Sequence, residues 1–263
     1  CRTGPPEGSC GCRTAFSCKY SGLSSGKLSE GSIMLRKKSK RHFYIVTVIV
    51  VLLVIWTAWS NTTVGITHYT VASDKLPASF DHYSIVVVSD LHNAEFGENN
   101  SQLIKLIEKE KPDIIVITGD LVDSNKTNID IAQKLVGTLT GIAPCYYVTG
   151  NHEAWLGEQY QELESILLDE GVAILHDRAV QLIKNTESIQ LAGLDDPDFT
   201  DRAPLQQRMI KTKINNMNLT DNYCVLLSHR PEAFEDYVSE NIDLVLSGHA
   251  PVSYTHLTLP TNS

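Results

Sequence analysis

Basic side chains are scarce where this sequence is most regular. The chain has 263 residues, of which 22 are Lys or Arg and 31 are Asp or Glu, for a net charge of −9. Between Asp81 and Ala250, 28 acidic residues stand against 12 basic ones, a net −16. A nucleic-acid groove needs Lys and Arg to displace counterions, so no such groove is expected in this stretch. A surplus of carboxylates suits a protein that gathers them around metal ions. Paired CxxC spacing is also missing. Cys1, Cys10, Cys12 and Cys18 crowd the start without the spacing of a zinc site. Cys145 and Cys224 lie in apolar runs, where buried free thiols are expected. Neither an internal repeat nor a low-complexity tract is present, so the length fits one well-buried domain with an appendage.

Charge is absent altogether from Phe43 to Trp59, 17 residues. Arg36, Lys37, Lys38, Lys40 and Arg41 precede this run, and no Asp, Glu, Lys or Arg follows it until Asp74. The reading is a basic head and transmembrane anchor over 34–60, with Trp56 and Trp59 at the far interface. The positive-inside rule places the N-terminus in the cytoplasm and the rest outside the cell membrane. Ala58-Trp59-Ser60 offers an alternative, signal cleavage and a secreted form. A buried core helix has no use for so one-sided a basic flank. Residues 1–33 carry no period and precede Met34, so they read as a non-native upstream leader. Residues 61–80 read as a linker.

From residue 83 the pattern becomes regular. "YSIVVVS", "DIIVITG" and "CYYVTG" are apolar and largely β-branched or aromatic, as buried strands are. Helical spacing fills Ser101–Lys111, Ile129–Leu139 and Gln159–Glu170, the last ending before Gly171. That alternation predicts a largely parallel sheet covered by helices. "VAILH", "AVQLIK" and "SIQLAGL" then crowd together without helices and predict a second sheet. A helix is expected over Arg202–Asn215. "YCVLLSH" and "IDLVLSGH" are further strands, with a helix near Glu232–Ser239 between them.

Five of these strands end in side chains that can ligate metal: Asp90 and His92, Asp120, Asn151, His229, and His249. In an open α/β sheet the carboxyl ends of the strands form the ligand crevice. One Asp in such a place is usually a cap or turn residue, and one His usually surface or core. Asp123 and Glu153 by themselves are ordinary loop carboxylates. Five strand ends with O or N donors, three beside glycine, point to a metal site instead. His68, His82 and His176 fall outside the set and read as structural or surface. Asp195 and Asp196 in "GLDDPDF" read as turn residues.

In this order, "DLH", "GDLVD", "GNHE", "H" and "GH" resemble the calcineurin-like metallophosphoesterase superfamily over roughly 81–250, and the anchor resembles its membrane-associated bacterial phosphodiesterases. The resemblance implies an α/β fold, a four-layer α/β/β/α sandwich preceded by one transmembrane helix. It implies two divalent ions, with Asp90 and His92 on the first, Asp120 bridging both, and Asn151, His229 and His249 on the second. Mixed N/O donors suit Mn, Fe or Zn. His152 would serve the leaving oxygen of a phosphate-ester substrate, oriented by Asp123. Arg230 either touches the phosphate beside Asn151 or is a surface arginine. The implied activity is hydrolysis of phosphodiesters or phosphomonoesters by a hydroxide held between the ions. Two alternatives are a hydrolase of lipid pyrophosphates such as nucleotide-glycolipids, and a non-catalytic metal-binding protein.

The family's last motif is Gly-His-x-His, and here Pro251 stands where the second histidine is expected. The segment 251–263 resembles the translation of a sequencing adapter and reads as a non-native tail on a C-terminally truncated domain. His256 is therefore not taken as a ligand. A chain ending in this way is expected to be a weak enzyme, restored by a histidine at 251 with a continued C-terminus.

Overall fold

Ile114-Ile115-Val116-Ile117 offers water no polar side chain on either face, and it forms the centre of a sheet. A computed structural model of the chain describes residues 28–62, 64–200, 206–238 and 241–249. Most of the expected leader, the tail, residues 202–205 of the helix expected from Arg202, and the end of the one expected to reach Ser239 lie outside the described residues. β1 (Ile85–Val88), β2 (Ile114–Thr118), β3 (Cys145–Val148) and β4 (Ala173–Ile174) pair in that order, all parallel. Parallel neighbours need crossovers. α2 (Ser101–Glu110), α3 (Ile129–Leu139), and the pair α4 (Asn151–Trp155) and α5 (Gln159–Asp169) supply them. Right-handed crossovers that advance in one direction fall on one face of the sheet.

Alternation along the strands then builds three cores. Ile115, Ile117 and Tyr147 point to the helices and pack with Ile107, Leu135, Leu139, Leu163 and Leu167. Ile114, Val116 and Val148 point the other way, to Leu182, Ile189, Leu191, Val225 and Leu227. Those residues belong to the second sheet, whose order is β5 (Arg178–Lys184), β6 (Glu187–Gly193), β7 (Cys224–Ser228), β8 (Leu244–Ser247). β5 and β6 form an antiparallel hairpin, and β7 and β8 join in parallel. Ala192, Cys224 and Leu226 on its outer face meet Ile210 and Ile214 of α6 (Gln206–Asn216) and Tyr237 of α7 (Phe234–Tyr237). The architecture is helix, sheet, sheet, helix, as the sequence implies. Each fully buried Leu or Ile contributes about 1.5–3 kcal/mol.

Three elements differ from the sequence reading. "VAILH" joins the first sheet through two residues of β4, not the second. α4, directly after β3, is a helix where none was expected. α7 is one turn, entered through a 3-10 turn at Pro231–Ala233. Cys145 and Cys224 are buried free thiols, as expected. Burial pushes their pKa values up to about 11 and about 12, so both are inert at neutral pH.

α1 (Leu28–Thr62) belongs to a separate compact unit. Its segment Lys40–Thr57, 18 residues, is long and apolar enough to cross a membrane. At 1.5 Å per residue it spans about 27 Å, close to a bilayer's hydrocarbon thickness.

Candidate metal centre

Parallel register sets the edge where donors gather. Val88 lies beside Ile117 and Thr118 beside Val148, so β1, β2 and β3 end together and their next residues form one rim. β7 and β8 bring His229 and His249 to the same rim from the second sheet. The turns there are tight. Asp90, Asp120 and His249 follow β1, β2 and β8 with φ of 54°, 52° and 55°, and His92 has 46°. Such left-handed torsions cost an L-residue on the order of 1 kcal/mol, least for Asp and Asn. Gly119, at φ +89°, is needed beside them. A Cβ there would lie 2.6 Å from Gly150 N and 2.8 Å from His229 Nδ1.

The donors crowd one another. His229 is fully buried, and its Nδ1 lies 2.8 Å from the Thr118 carbonyl. Nδ1 therefore carries a proton as donor. His229 Nε2 then faces Asn151 Oδ1 at 3.0 Å, His249 Nδ1 at 3.1 Å and Asp120 Oδ2 at 3.2 Å. On the other side of Asp120 Oδ2, His92 Nε2 is 3.6 Å away, and it lies 4.0 Å from Asp90 Oδ1. Both Asp90 oxygens also accept from the His249 N–H, at 3.2 and 3.0 Å. Two ligand-forming clusters result, His92–Asp120–His152 and Asp120–His229–His249, with Asp120 in both. Such crowding of lone pairs is relieved by a positive species, either a proton on His229 or a metal ion. Burial alone would raise the pKa of Asp120, but the bond and charge of His229 and the His152 N–H outweigh it and hold the carboxyl below the ordinary range. Burial likewise opposes charge on His229, and Asp120 overcomes it, so that pKa rises. The donor chemistry fits a pair of divalent ions bound by N and O.

All six expected ligands converge, and so does His152. Its Nδ1 accepts the Ser124 N–H at 3.1 Å, which leaves the ring proton to Nε2. Asp123 stands 3.6 Å from Nδ1, beyond hydrogen-bond reach, so Ser124 makes the orienting bond. Arg230 does not lie free. Asp196 takes its Nε at 2.6 Å and Nη2 at 3.1 Å, and Asp198 and Glu232 also pair with it. Asp196 is thus no mere turn residue; it is buried and anchors the residue after a ligand.

Glu153 is the residue that sequence reasoning undervalued. It is fully buried and accepts four backbone N–H groups: Asp120 at 2.8 Å, Gly150 at 2.7 Å, Leu121 at 2.8 Å and Val122 at 3.4 Å. It therefore ties the turn after β2 to the turn after β3. Burial pushes its pKa up to about 7, and the Asp120 charge acts in the same direction. The spacing Gly150-Asn151-His152-Glu153, a carboxylate at the third position of a helix, was the available signal.

His176 is structural, as expected, and its setting gives a pH dependence. Its Nδ1 is 2.9 Å from Asp195 Oδ2 and its Nε2 2.6 Å from Glu164 Oε1, so it bridges the loop after β6 to α5. The Asp195 bond, more than any other partner, raises its pKa above the ordinary 6.5. A raised folded-state pKa gives stability that is complete below about pH 6.5 and lost as pH climbs through the folded value. His176→Gln should therefore lower Tm most below about pH 6.5, with the gap from the parent narrowing as pH rises through the raised folded-state value. A gap that stays constant across thermal melts over that range would refute the bridge's charge.

Comparison with known proteins follows the same lines. The model of the family described as calcineurin-like phosphoesterase matches residues 83–253. An uncharacterized metallophosphoesterase of Aquifex aeolicus is 32% identical over 207 residues, 73% of this chain and 73% of that protein. A transmembrane protein with metallophosphoesterase domain from Danio rerio is 29% identical over 191 residues, 67% of this chain and 42% of that protein. Its namesake from Bos taurus is 28% identical over 224 residues, 81% of this chain and 50% of that protein. The chain thus spans half or less of the two vertebrate relatives.

Proposed function

The chain belongs to the calcineurin-like phosphoesterase family, and on that premise we propose that it is a membrane-anchored hydrolase of phosphodiesters that works with two divalent ions, Mn, Fe or Zn. One observation carries the reading: Asn151 Oδ1, His249 Nδ1 and Asp120 Oδ2 converge within 3.0–3.2 Å of the buried ring nitrogen Nε2 of His229. A divalent cation among them would be ligated by all four. In this reading Asp90 and His92 hold one ion, Asn151, His229 and His249 the other, and Asp120 both.

The chemistry such a pair supplies, once bound, is charge neutralisation at phosphorus and activation of water. The chain's own residues do the rest. Asp120 would serve both positions because its Oδ2 faces His92 on one side and His229 on the other, and Glu153 fixes its backbone. Thr118 fixes the tautomer of His229. Ser124 leaves the His152 proton on Nε2, the donor suited to a leaving oxygen. The anchor reading is supported by the apolar segment Lys40–Thr57. The basic residues from Arg36 to Arg41 support an N-terminus in the cytoplasm and a catalytic domain outside.

The test is direct. Chain purified from membranes and loaded with Mn²⁺ should hold close to two ions and release phosphate or alcohol from a panel of diesters and monoesters. Chelation should end both, and Mn²⁺ should restore both. External protease should reach the domain in intact cells. A chain that binds no metal, or hydrolyses nothing on the panel when loaded, defeats the proposal; protection of the domain defeats only its orientation.

A further inference from the structure

Trp155 closes α4, three residues after His152, and 56% of its surface is exposed. An exposed tryptophan is ordinarily a surface accident. This one is held at both ends. Its ring lies 4.9 Å from that of His152, tilted by 43°, and His152 in turn meets His92 edge-on at 4.4 Å. Its Nε1 donates to Asp198 Oδ2 at 3.0 Å. Asp198 is itself fixed, by its own N–H to Asp196 Oδ1 at 2.9 Å and by Arg230 Nη2 at 3.1 Å. Arg230 follows the ligand His229. The indole plane is thus set by a relay that starts at the metal centre and returns to it through His152. Phe199, next to Asp198, is 39% exposed and rests edge-on against Tyr160 at 4.9 Å. A rigid aromatic surface loses little entropy when a ligand covers it.

We propose that the open face of Trp155 is the platform for the leaving group, and that the substrates are phosphoesters with a planar aromatic leaving group. The proposal rests on the phosphoesterase reading of the adjoining centre. His152 supplies the donor at the leaving oxygen, and the next ring along receives the group attached to that oxygen. A row of rings, His92, His152 and Trp155, favours a flat π-system over an alkyl chain, which gains only buried area. Trp155 is a specificity residue in this scheme, and Asp198 a positioning residue.

Phosphonates test this without turnover, because the carbon–phosphorus bond is not cleaved. Phenylphosphonate and methylphosphonate are titrated calorimetrically onto the Mn²⁺-loaded chain. The phenyl compound should bind about tenfold more tightly, as stacking on an aromatic side chain predicts. Trp155→Ala should abolish the preference while methylphosphonate affinity stays unchanged, which also shows that the fold is intact. Trp155→Phe should retain most of the preference, and Asp198→Asn should weaken it. An equal preference in Trp155→Ala overturns the platform alone. Hexylphosphonate gaining as much from Trp155 as the phenyl compound overturns the aromatic assignment. Failure of every phosphonate to bind overturns the phosphoesterase reading, and the platform with it.

Discussion

Asp120→Asn should empty the centre. The residue is buried and is shared by both ligand clusters. Its Oδ2 lies 3.2 Å from His229 Nε2 and 3.6 Å from His92 Nε2. Asparagine keeps the size, tolerates the left-handed torsion and retains an oxygen for the His152 N–H, so folding should survive. It has lost the charge and the second oxygen that a bridge requires. Changes to groups outside the ligand set already cost about 10–100-fold in metal affinity, and loss of the bridge should cost more than about 100-fold. Hydrolysis should fall by at least about 10³-fold, since positioning and charge neutralisation go together. Elemental analysis after gel filtration and isothermal titration with Mn²⁺ read the first effect. Two ions retained at parental affinity would remove Asp120 from the bridging position.

His152→Ala separates two roles that the geometry alone leaves adjacent. His152 belongs to a ligand-forming cluster with His92 and Asp120, yet its Nδ1 is already committed to Ser124. If it serves the leaving oxygen, alanine should lower kcat by about 10²–10⁴-fold and leave metal content unchanged. The loss should be largest for alkoxide leaving groups and smallest for p-nitrophenolate, which departs without a proton. Loss of an ion together with activity would make His152 a ligand instead. Ser124→Ala should alter little, because the shorter bond from its backbone N–H, 3.1 Å, remains when the 3.3 Å contact of its Oγ is lost.

The centre was readable because its donors obey a rule of position. Each follows an apolar run by two to four residues, and strand direction does the rest. The two sheets were equally plain, since Ile114–Ile117 and Cys224–Leu227 are apolar on both faces. What escaped depends on partners far along the chain. "VAILH" carries the composition of a strand in either sheet, and the pairings of Tyr146 with Ala173 and Tyr147 with Ile174 assign it. Glu153 is an ordinary loop carboxylate until the N–H groups of residues 120, 121 and 122, some thirty positions earlier, turn towards it. Backbone donors have no letter of their own, so a side chain that satisfies them leaves little trace in composition. Asp196 and Arg230 form a partly buried pair 34 residues apart for the same reason.

The torsions at Asp90, Asp120 and His249 restrict more than chemistry. Valine, isoleucine or threonine at these points would clash with the chain's own carbonyls before any question of ligation arose. Glycine, which adopts φ near +55° without penalty, would keep each bend and delete each donor. Glycine variants at 90, 120 and 249 therefore keep the bends of the rim while removing three of its six donors, so that new donor sets can be built there one position at a time.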